Sequence, residues 1–303
     1  MNILITGASG LIGGRLSRHL SNKKNLKVTR GSRKNSLFTK IDWQSKKNLE
    51  KICDKKNIII NCAGLDVHGS KNITRANLVN AEFPYRLYNA ANKKKVALFI
   101  FISTYHVYDS LKQKLINEKI KTKNKDIYTS SKLLGEKKLI LYKNKTTKLI
   151  IIRPCNLFGY PIYKNKNCWN LIINSMIKEI LTNGKYLIHS PVNTIRYYSS
   201  IESFCIFIEN LIKKSRDIEF SKKIIIINFL SNKSMNLVNL TKNILNHLNR
   251  KKKKIVKFKY KKLKKDSLIN FRSIYTNKFF SNKDKYFSDE IKKTISYVKK
   301  NLT

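Results

Sequence analysis

The chain has 303 residues, of which 42% are hydrophobic, so it is long enough to bury a large core and is neither fibrous nor disordered. Lys and Arg total 64 against 18 Asp and Glu, and this formal charge of +46 raises nucleic acid or a membrane surface as partners. The lysines are scattered along the chain with abundant Ile and Asn, residues that share A/T-rich codons. Drift in base composition therefore explains the charge at least as well as a nucleic-acid function.

Neither the cysteines nor the basic runs indicate a metal or nucleic-acid site. The five cysteines are widely spaced and form no C-x-x-C pair, so we expect no metal site. The densest basic runs are Lys251–Lys254 and Lys261–Lys265, where a solvated surface is the commoner explanation, and we expect no specific nucleic-acid partner. An odd cysteine count, no secretory leader and no apolar run of ~20 residues favour a cytoplasmic protein that does not cross a membrane. The sequence leaves open whether the protein forms a homodimer.

The first elements along the chain are an apolar strand at Ile3–Ile5, a glycine-rich turn and a helix at Leu11–Leu20. Gly7, Gly10 and Gly13 recur every third residue. This spacing allows a tight turn, a close approach of backbone N–H groups to a pyrophosphate, and close packing of the helix on the strand. The positive end of the helix would face the phosphates. We predict a dinucleotide-binding turn, with contacts from Gly7, Gly10, Leu11, Ile12 and Gly13.

The residues after the second predicted strand, Leu26–Thr29, bear on the choice of cofactor. A carboxylate here is typical of NAD sites, whereas an arginine accommodates the extra phosphate of NADP. Arg30 and Arg33 stand at this turn without a carboxylate, so we expect NADP(H) over NAD(H). Membership of a generally basic surface is the alternative explanation for the two arginines. Asp42, after another short extended piece, is a candidate contact for the adenine.

A third strand at Ile58–Cys62 leads into Ala63 and Gly64, whose small size lets the backbone pass close to a dinucleotide. A helical pattern then covers Ile73–Ala91 and includes Asn80. A lone Asn in a helix is usually a surface residue or a local hydrogen bonder. We therefore add Ala63 and Gly64 to the predicted cofactor site.

A fourth apolar strand, Val96–Ile102, ends in Ser103 and Thr104, at the edge where open α/β sheets bind ligands. Tyr128 and Lys132 open a later helix and, four residues apart, share one face of it. A nearby ammonium favours the phenolate of a tyrosine, so the pair suits proton transfer. The spacing occurs by chance in any chain rich in Lys and Tyr, and it gains weight from the glycine turn and the Ser-Thr strand end.

A fifth strand at Leu149–Arg153 ends the regular alternation of strands and helices. Later predicted elements are helices at Trp169–Leu181, Ile201–Lys214, Asn236–Leu248 and Asp289–Lys300 and strands at Tyr186–His189 and Ile224–Phe229. The alternation predicts an α/β fold, a Rossmann-like doubly wound parallel sheet of seven strands with a small C-terminal substrate-binding domain. We place the cofactor domain at 1–157, with a returning segment at about 194–226, and the substrate domain at 158–193 and 227–303.

Four motifs stand in a defined order along the chain. They are TGxxGxxG at Thr6–Gly13, STxxVY at Ser103–Tyr108, YxxxK at Tyr128–Lys132 and RxxNxxG at Arg153–Gly159. Over essentially its whole length, the chain resembles the extended short-chain dehydrogenase/reductases, the NAD-dependent epimerase/dehydratase family that acts on nucleotide-linked sugars. The resemblance implies a nicotinamide cofactor and a nucleotide-sugar substrate.

The resemblance also implies roles for individual residues. Tyr128 would be the catalytic acid/base, and Lys132 would bind the nicotinamide ribose and lower the pKa of Tyr128. Thr104 would hydrogen-bond the reacting sugar oxygen. Asn156 would contact the sugar nucleotide, and Arg196 would reach its phosphates.

Departures from the family pattern reduce the number of reactions that we expect. The dehydratases carry acidic residues after the catalytic Thr, whereas this chain has Tyr105 and His106, so dehydration is disfavoured. The segment Val79–Pro84 is similar to that of deoxysugar 4-ketoreductases, while Asn156 and Arg196 are closer to the epimerases.

We expect an NAD(P)-dependent 4-ketoreductase or epimerase of a nucleotide-linked sugar. The alternative is a non-catalytic dinucleotide-binding or RNA-binding relative, against which the intact Thr104, Tyr128 and Lys132 argue. Ser203 stands where the family often has an aspartate, seven residues after the arginine.

Overall fold

The structure is a computed structural model that describes residues 1–33, 37–108, 115–143, 145–163, 167–188, 195–214, 223–230, 233–248, 256–258, 270–280 and 286–303. Its strands are β1 (Asn2–Thr6), β2 (Lys27–Ser32), β3 (Thr39–Lys40), β4 (Ile58–Asn61), β5 (Leu98–Ile102), β6 (Leu115–Ile116), β7 (Lys148–Pro154), β8 (Asn156–Phe158), β9 (Tyr186–Ile188), β10 (Arg196–Ser200), β11 (Ile224–Phe229), β12 (Ser234–Met235), β13 (Val256–Phe258) and β14 (Asn270–Phe271). Its helices are α1 (Leu11–Ser21), α2 (Lys46–Cys53), α3 (Ile73–Asn77), α4 (Phe83–Lys93), α5 (Ile127–Ile140), α6 (Ile172–Asn183), α7 (Ile201–Lys214), α8 (Leu237–His247), α9 (Thr276–Phe279) and α10 (Phe287–Asn301). The basic runs Lys251–Lys254 and Lys261–Lys265 lie outside the described residues.

A parallel sheet of seven strands organises the molecule, in the order β11-β7-β5-β4-β1-β2-β3. All of its neighbouring strands run parallel. Strands β4 and β5 are buried over their full length, and their apolar sequences follow because helices cover both faces of the sheet. The prediction of a Rossmann-like doubly wound sheet is confirmed.

Strand β1 shows how the two helical layers are built. Ile3 and Ile5 pack in a core with α1 and α7 on one face of the sheet. Leu4 points to the other face and packs in a core with α2, α4 and α5. Alternate side chains of a strand thus serve opposite layers, as the two-residue period of a strand requires.

The last part of the chain builds a further hydrophobic core outside the seven-stranded sheet. Helices α6, α8 and α10 enclose it, with Phe158 of β8 and Tyr198 of β10 among its buried members. Strands β12, β10 and β8 form a small second sheet beside it. The predicted division into a cofactor domain and a substrate domain stays a prediction.

Two differences between the predicted and the observed elements bear on the site. Strand β2 continues past Thr29 to Ser32, since residues up to Gly31 pair with β1 and Gly31 and Ser32 pair with the edge strand β3. The helical pattern predicted over Ile73–Ala91 is confirmed, with one local change that the pattern does not show: a π-helical turn at 78–82 lies between α3 and α4, and the N–H of Phe83 donates to the carbonyl of Leu78. Such a turn inserts one extra residue, which turns the following side chains to a new direction.

Among the residues that the structure describes, no helix combines the length and the hydropathy needed to cross a bilayer.

Candidate active site

The turn between β1 and α1 has the shape of a phosphate cradle. Gly7 adopts φ of +66°, and a Cβ there would lie 2.6 Å from the backbone N of Ala63. A Cβ at Gly13 would collide with the carbonyl oxygen of Gly7. Gly10 caps α1 without a side-chain hydrogen bond, so the first N–H groups of the helix are not occupied by a capping side chain. These features fit the pyrophosphate of a dinucleotide, because the helix N-terminus favours an anion.

A cleft of about 560 Å³ opens over this turn. This volume suits a bound cofactor, since ligand sites commonly enclose about 300–1,000 Å³. The predicted cofactor residues that line the cleft are Gly7, Gly10, Leu11, Ile12, Gly13, Arg33, Ala63 and Gly64. Cys168 and Leu171, which follow β8 in the chain, also line it.

The structure separates the two arginines of the β2 turn. The Arg33 guanidinium lies in the cleft wall, 4.5 Å from the ring centroid of Trp43. Arg30 instead donates to the Tyr163 hydroxyl at 2.9 Å and lies over the ring of Phe38. The geometry therefore favours Arg33 over Arg30 as a contact for a phosphate in the cleft.

Asp42 belongs to the turn that leads into α2. Its carboxylate accepts the N–H of Gln44 at 3.0 Å and that of Ser45 at 3.4 Å, whereas the adjacent Ile41 and Trp43 line the cleft. These bonds do not support an adenine contact from Asp42, which stays a prediction.

Thr104 and Tyr128 meet at the carboxyl edge of the sheet. Thr104 follows β5 and accepts the N–H of His106 at 3.2 Å. The capping box of Asp126 and Thr129 fixes the start of α5 and thereby the position of Tyr128. The Tyr128 hydroxyl lies close enough to the Thr104 side chain for Thr104 to favour the ionised phenol, but burial raises the pKa of Tyr128 to about 12.

Lys132 lies one helical turn after Tyr128. Its ammonium is buried and donates to the carbonyl of Ile102 at 3.0 Å. Burial lowers the pKa of Lys132 to about 8. The expected lowering of the pKa of Tyr128 by Lys132 stays a prediction, since burial of the phenol sets the direction of the shift in the folded chain.

Asn80 is a site residue that sequence reasoning placed at the surface or in a local bond. It is fully buried in the π-helical turn. Its side chain accepts the N–H of Leu65 at 2.8 Å and donates to the Ser131 hydroxyl at 2.9 Å. It therefore joins the loop after Gly64 to helix α5. Only the resemblance of Val79–Pro84 to the ketoreductases pointed to this segment.

The predicted substrate residues lie beyond Thr104. The Asn156 amide donates both to the Tyr105 hydroxyl at 2.7 Å and to the Tyr197 carbonyl at 2.9 Å. The charge of Arg196 acts on the side chains of Tyr105 and His106. The structure thus brings Asn156 and Arg196 together beside the strand end that carries Thr104, and their contact with a sugar nucleotide stays a prediction.

Within the described ranges, no group of three His, Cys, Asp or Glu side chains is arranged to hold a metal ion.

Comparison with known proteins decides the family. A model of the NAD dependent epimerase/dehydratase family matches residues 3–217. The chain belongs to this family. Among curated proteins it is similar to a GDP-6-deoxy-D-talose 4-dehydrogenase of Aggregatibacter actinomycetemcomitans, with 26% identity over 218 residues that cover 71% of each chain.

Solved structures of this family share the fold. A UDP-glucose 4-epimerase superposes with a TM-score of 0.83 at 17% identity, over 99% of this chain and 98% of the other. A dTDP-4-dehydrorhamnose reductase from Clostridium acetobutylicum superposes with a TM-score of 0.75 at 19% identity, over 99% and 100% of the two chains. At these identities the likeness shows a common architecture.

Proposed function

We propose that the protein is an NAD(P)-dependent oxidoreductase that acts at the 4-position of a nucleotide-linked sugar. The observation that carries this proposal is the meeting of Thr104 and Tyr128 beside the cleft over the glycine turn. This arrangement supports a cofactor and a proton donor on neighbouring parts of one sheet edge. The relative that acts on a GDP-linked 6-deoxysugar supports the substrate class.

The residues of the chain divide the work of the reaction. A bound nicotinamide cofactor supplies or accepts the hydride. Gly7 and Gly13 hold the pyrophosphate, and Lys132 holds the nicotinamide ribose. Thr104 hydrogen-bonds the reacting sugar oxygen, and Tyr128 moves the proton at that oxygen. Because its pKa of about 12 keeps the phenol protonated at neutral pH, Tyr128 suits donation of a proton to a ketone.

The resemblance of Val79–Pro84 to the deoxysugar 4-ketoreductases favours the ketoreductase form of the reaction. Reduction of a 4-keto sugar needs an acid at the developing alkoxide, and the protonated phenol of Tyr128 supplies it. Tyr105 and His106 replace the acids that dehydratases carry, so dehydration is not proposed.

The proposal extends to the cofactor and to the two domains. We favour NADP(H) over NAD(H), because Arg33 lies in the cleft wall and carries the charge that an extra phosphate needs. We assign cofactor binding to residues 1–157 with the segment at about 194–226, and substrate binding to 158–193 and 227–303. The second hydrophobic core, formed by α6, α8 and α10, supports this division.

A substrate panel tests the proposed function. Purified protein is incubated with each of several nucleotide-linked 4-keto sugars and reduced cofactor, and separately with the matching 4-hydroxy sugars and oxidised cofactor. The absorbance of reduced nicotinamide and the identity of the sugar products are followed. A ketoreductase consumes cofactor and sugar one for one. An epimerase interconverts 4-hydroxy sugars without net change in cofactor, and a non-catalytic relative does neither. Either of the last two outcomes would overturn the proposal.

A further inference from the structure

A buried carboxylate lies one turn after Lys132 on the catalytic helix. Glu136 is 2% exposed, and both of its oxygens are hydrogen-bonded. Oε1 accepts the Ser103 hydroxyl at 2.5 Å and the Arg153 Nε at 3.1 Å. Oε2 accepts the Arg153 Nη2 at 2.5 Å. The proposed reaction uses none of these three side chains directly.

This carboxylate joins the parts of the chain that carry the catalytic residues. Ser103 immediately precedes Thr104, and the Ile102 carbonyl that Lys132 contacts immediately precedes Ser103. Two side chains of helix α5 thus contact consecutive residues at the end of β5: Lys132 contacts Ile102, and Glu136 contacts Ser103. Arg153 closes the arrangement from the neighbouring strand β7.

The arrangement continues away from the cleft. Arg153 donates through Nη1 to the Tyr108 hydroxyl at 2.7 Å, and that hydroxyl donates to the Asn228 Oδ1 at 2.9 Å. Arg153 is therefore held from both sides, by Glu136 and by Tyr108. A buried ion pair of this kind is weak evidence for stability, since desolvation offsets much of the attraction. Its position beside the catalytic lysine calls for another explanation.

Charge near Lys132 supplies that explanation. The charged and titratable groups that act on its ammonium are Glu136 and the Cys62 thiol. Burial favours the neutral amine, and the Glu136 carboxylate opposes it by favouring the cation. The Phe101 ring, with its centroid 5.2 Å from Nζ, adds a weaker attraction for the cation.

We propose that Glu136 is a positioning residue that keeps Lys132 protonated and holds it in register with Thr104 through Ser103. This inference rests on the proposed function in one respect, namely that the Lys132 ammonium serves the reaction. The protonation of Lys132 itself is a property of the folded protein and is measured without any substrate.

The test uses a substitution that removes the negative charge of Glu136 and keeps the size and shape of its side chain. In Glu136→Gln the cation loses its anionic neighbour, so the pKa of Lys132 falls, by about one unit on the scale of a nearby charge. Protein labelled with ¹³C at lysine Cε reports this pKa by NMR, because Lys132 titrates well below the exposed lysines and disappears from the spectrum in Lys132→Met. The control is Glu82→Gln, which removes the half-buried partner of Lys138 of α5 and leaves the Lys132 titration in place.

A second variant covers the case in which Glu136→Gln does not fold. The double variant Glu136→Gln with Arg153→Met removes both charges and leaves no unpaired ion. It is expected to show a smaller fall, because loss of the Arg153 cation favours the Lys132 cation. An unchanged Lys132 midpoint in either folded variant overturns the inference. In kinetics, the activity of the charge-removed variant should fall off at lower pH than that of the wild type. Absence of any sugar turnover would count against the proposed function, while the Lys132 titration would still decide the role of Glu136.

Discussion

Arg15 of α1 forms a bidentate ion pair with Glu290 of α10, at 2.6 and 2.9 Å, across almost the whole length of the chain. Glu290 is 1% exposed, and the Arg15 guanidinium also lies 4.2 Å from the ring centroid of Tyr160. The helix whose N-terminus faces the cleft is therefore anchored to the last helix of the second core. When this pair is broken, the turn between β1 and α1 and the C-terminal helix α10 should lose stability together.

Breaking the pair should destabilise the protein strongly. Arg15→Met leaves the Glu290 carboxyl buried without its partner, and removing one member of a buried pair costs about 3–5 kcal/mol. The unfolding free energy from urea denaturation measures this loss. The matched control is Lys93→Met, which breaks the exposed pair with Glu50 and should change the midpoint little. Equal effects of the two substitutions would show that the Arg15 pair is not a special anchor.

Stability should fall in acid because of two glutamates that face α1. The hydrogen bond with His19 is the main reason that the pKa of Glu202 is about 2. The pKa of Glu209 is also about 2, because Lys213, Lys23 and His19 outweigh its burial.

Both values lie below the ordinary 4.5, so the unfolded chain takes up protons first as the pH falls. The contribution of these two groups is present above about pH 5 and lost towards pH 2. Unfolding free energies at a series of pH values test this, and the double variant Glu202→Gln with Glu209→Gln should show a flatter acid limb. An unchanged acid limb would contradict the prediction.

Cofactor binding should depend on Gly13 far more than on its neighbour. A Cβ at Gly13 collides with the Gly7 carbonyl, whereas one at Gly14 lies 3.2 Å from the Ala8 carbonyl oxygen. Gly13→Ala must therefore move the turn that holds the pyrophosphate, and the loss of one charged hydrogen bond weakens binding about 10- to 100-fold. Calorimetry with the cofactor compares the two variants. Similar affinities in both would show that the turn is not the pyrophosphate site.

Arg33 should discriminate between the cofactors more than Arg30. The contacts of Arg33 with a phosphate would contribute about 2–3 kcal/mol, and Arg33→Ala should remove most of the preference for NADP(H). Arg30→Ala should remove less, since Tyr163 and Phe38 already hold that side chain. The ratio of the two cofactor affinities in each variant is the measurement. Equal affinity in the wild type, unchanged in Arg33→Ala, would mean that the arginines belong only to the basic surface.

The sequence predicted those parts of the site that depend on short-range patterns. Gly7 and Gly13 are recognisable because no other residue type fits the turn. Tyr128 and Lys132 are recognisable because a helix sets their spacing. Asn80 was not recognisable, since a π-helical turn depends on packing against α5 and leaves no periodic signal.

Side-chain contacts between residues far apart in the chain could not be predicted from the sequence either. Glu290 and Arg15 are far apart in the sequence and meet only in the folded protein. Tyr163, which follows β8 in the chain, likewise contacts Arg30 only in the folded protein. The pKa of Tyr128 could not be foreseen because burial decides its sign, and burial is a property of the folded chain. The four motifs predicted the order of the elements as far as Gly159. After that residue, strands and helices no longer alternate regularly, so the sequence predicts the later elements less well.

In the proposed reaction, Tyr128 moves the proton at a sugar oxygen while Thr104 holds that oxygen. The most direct measurement compares turnover of the active nucleotide-linked sugar with cofactor affinity in Tyr128→Phe. Only the phenolic proton is removed, so turnover should fall about 100- to 10,000-fold while the cofactor binds almost as in the wild type. Near-full turnover in Tyr128→Phe would contradict the account, whatever the fold of the protein.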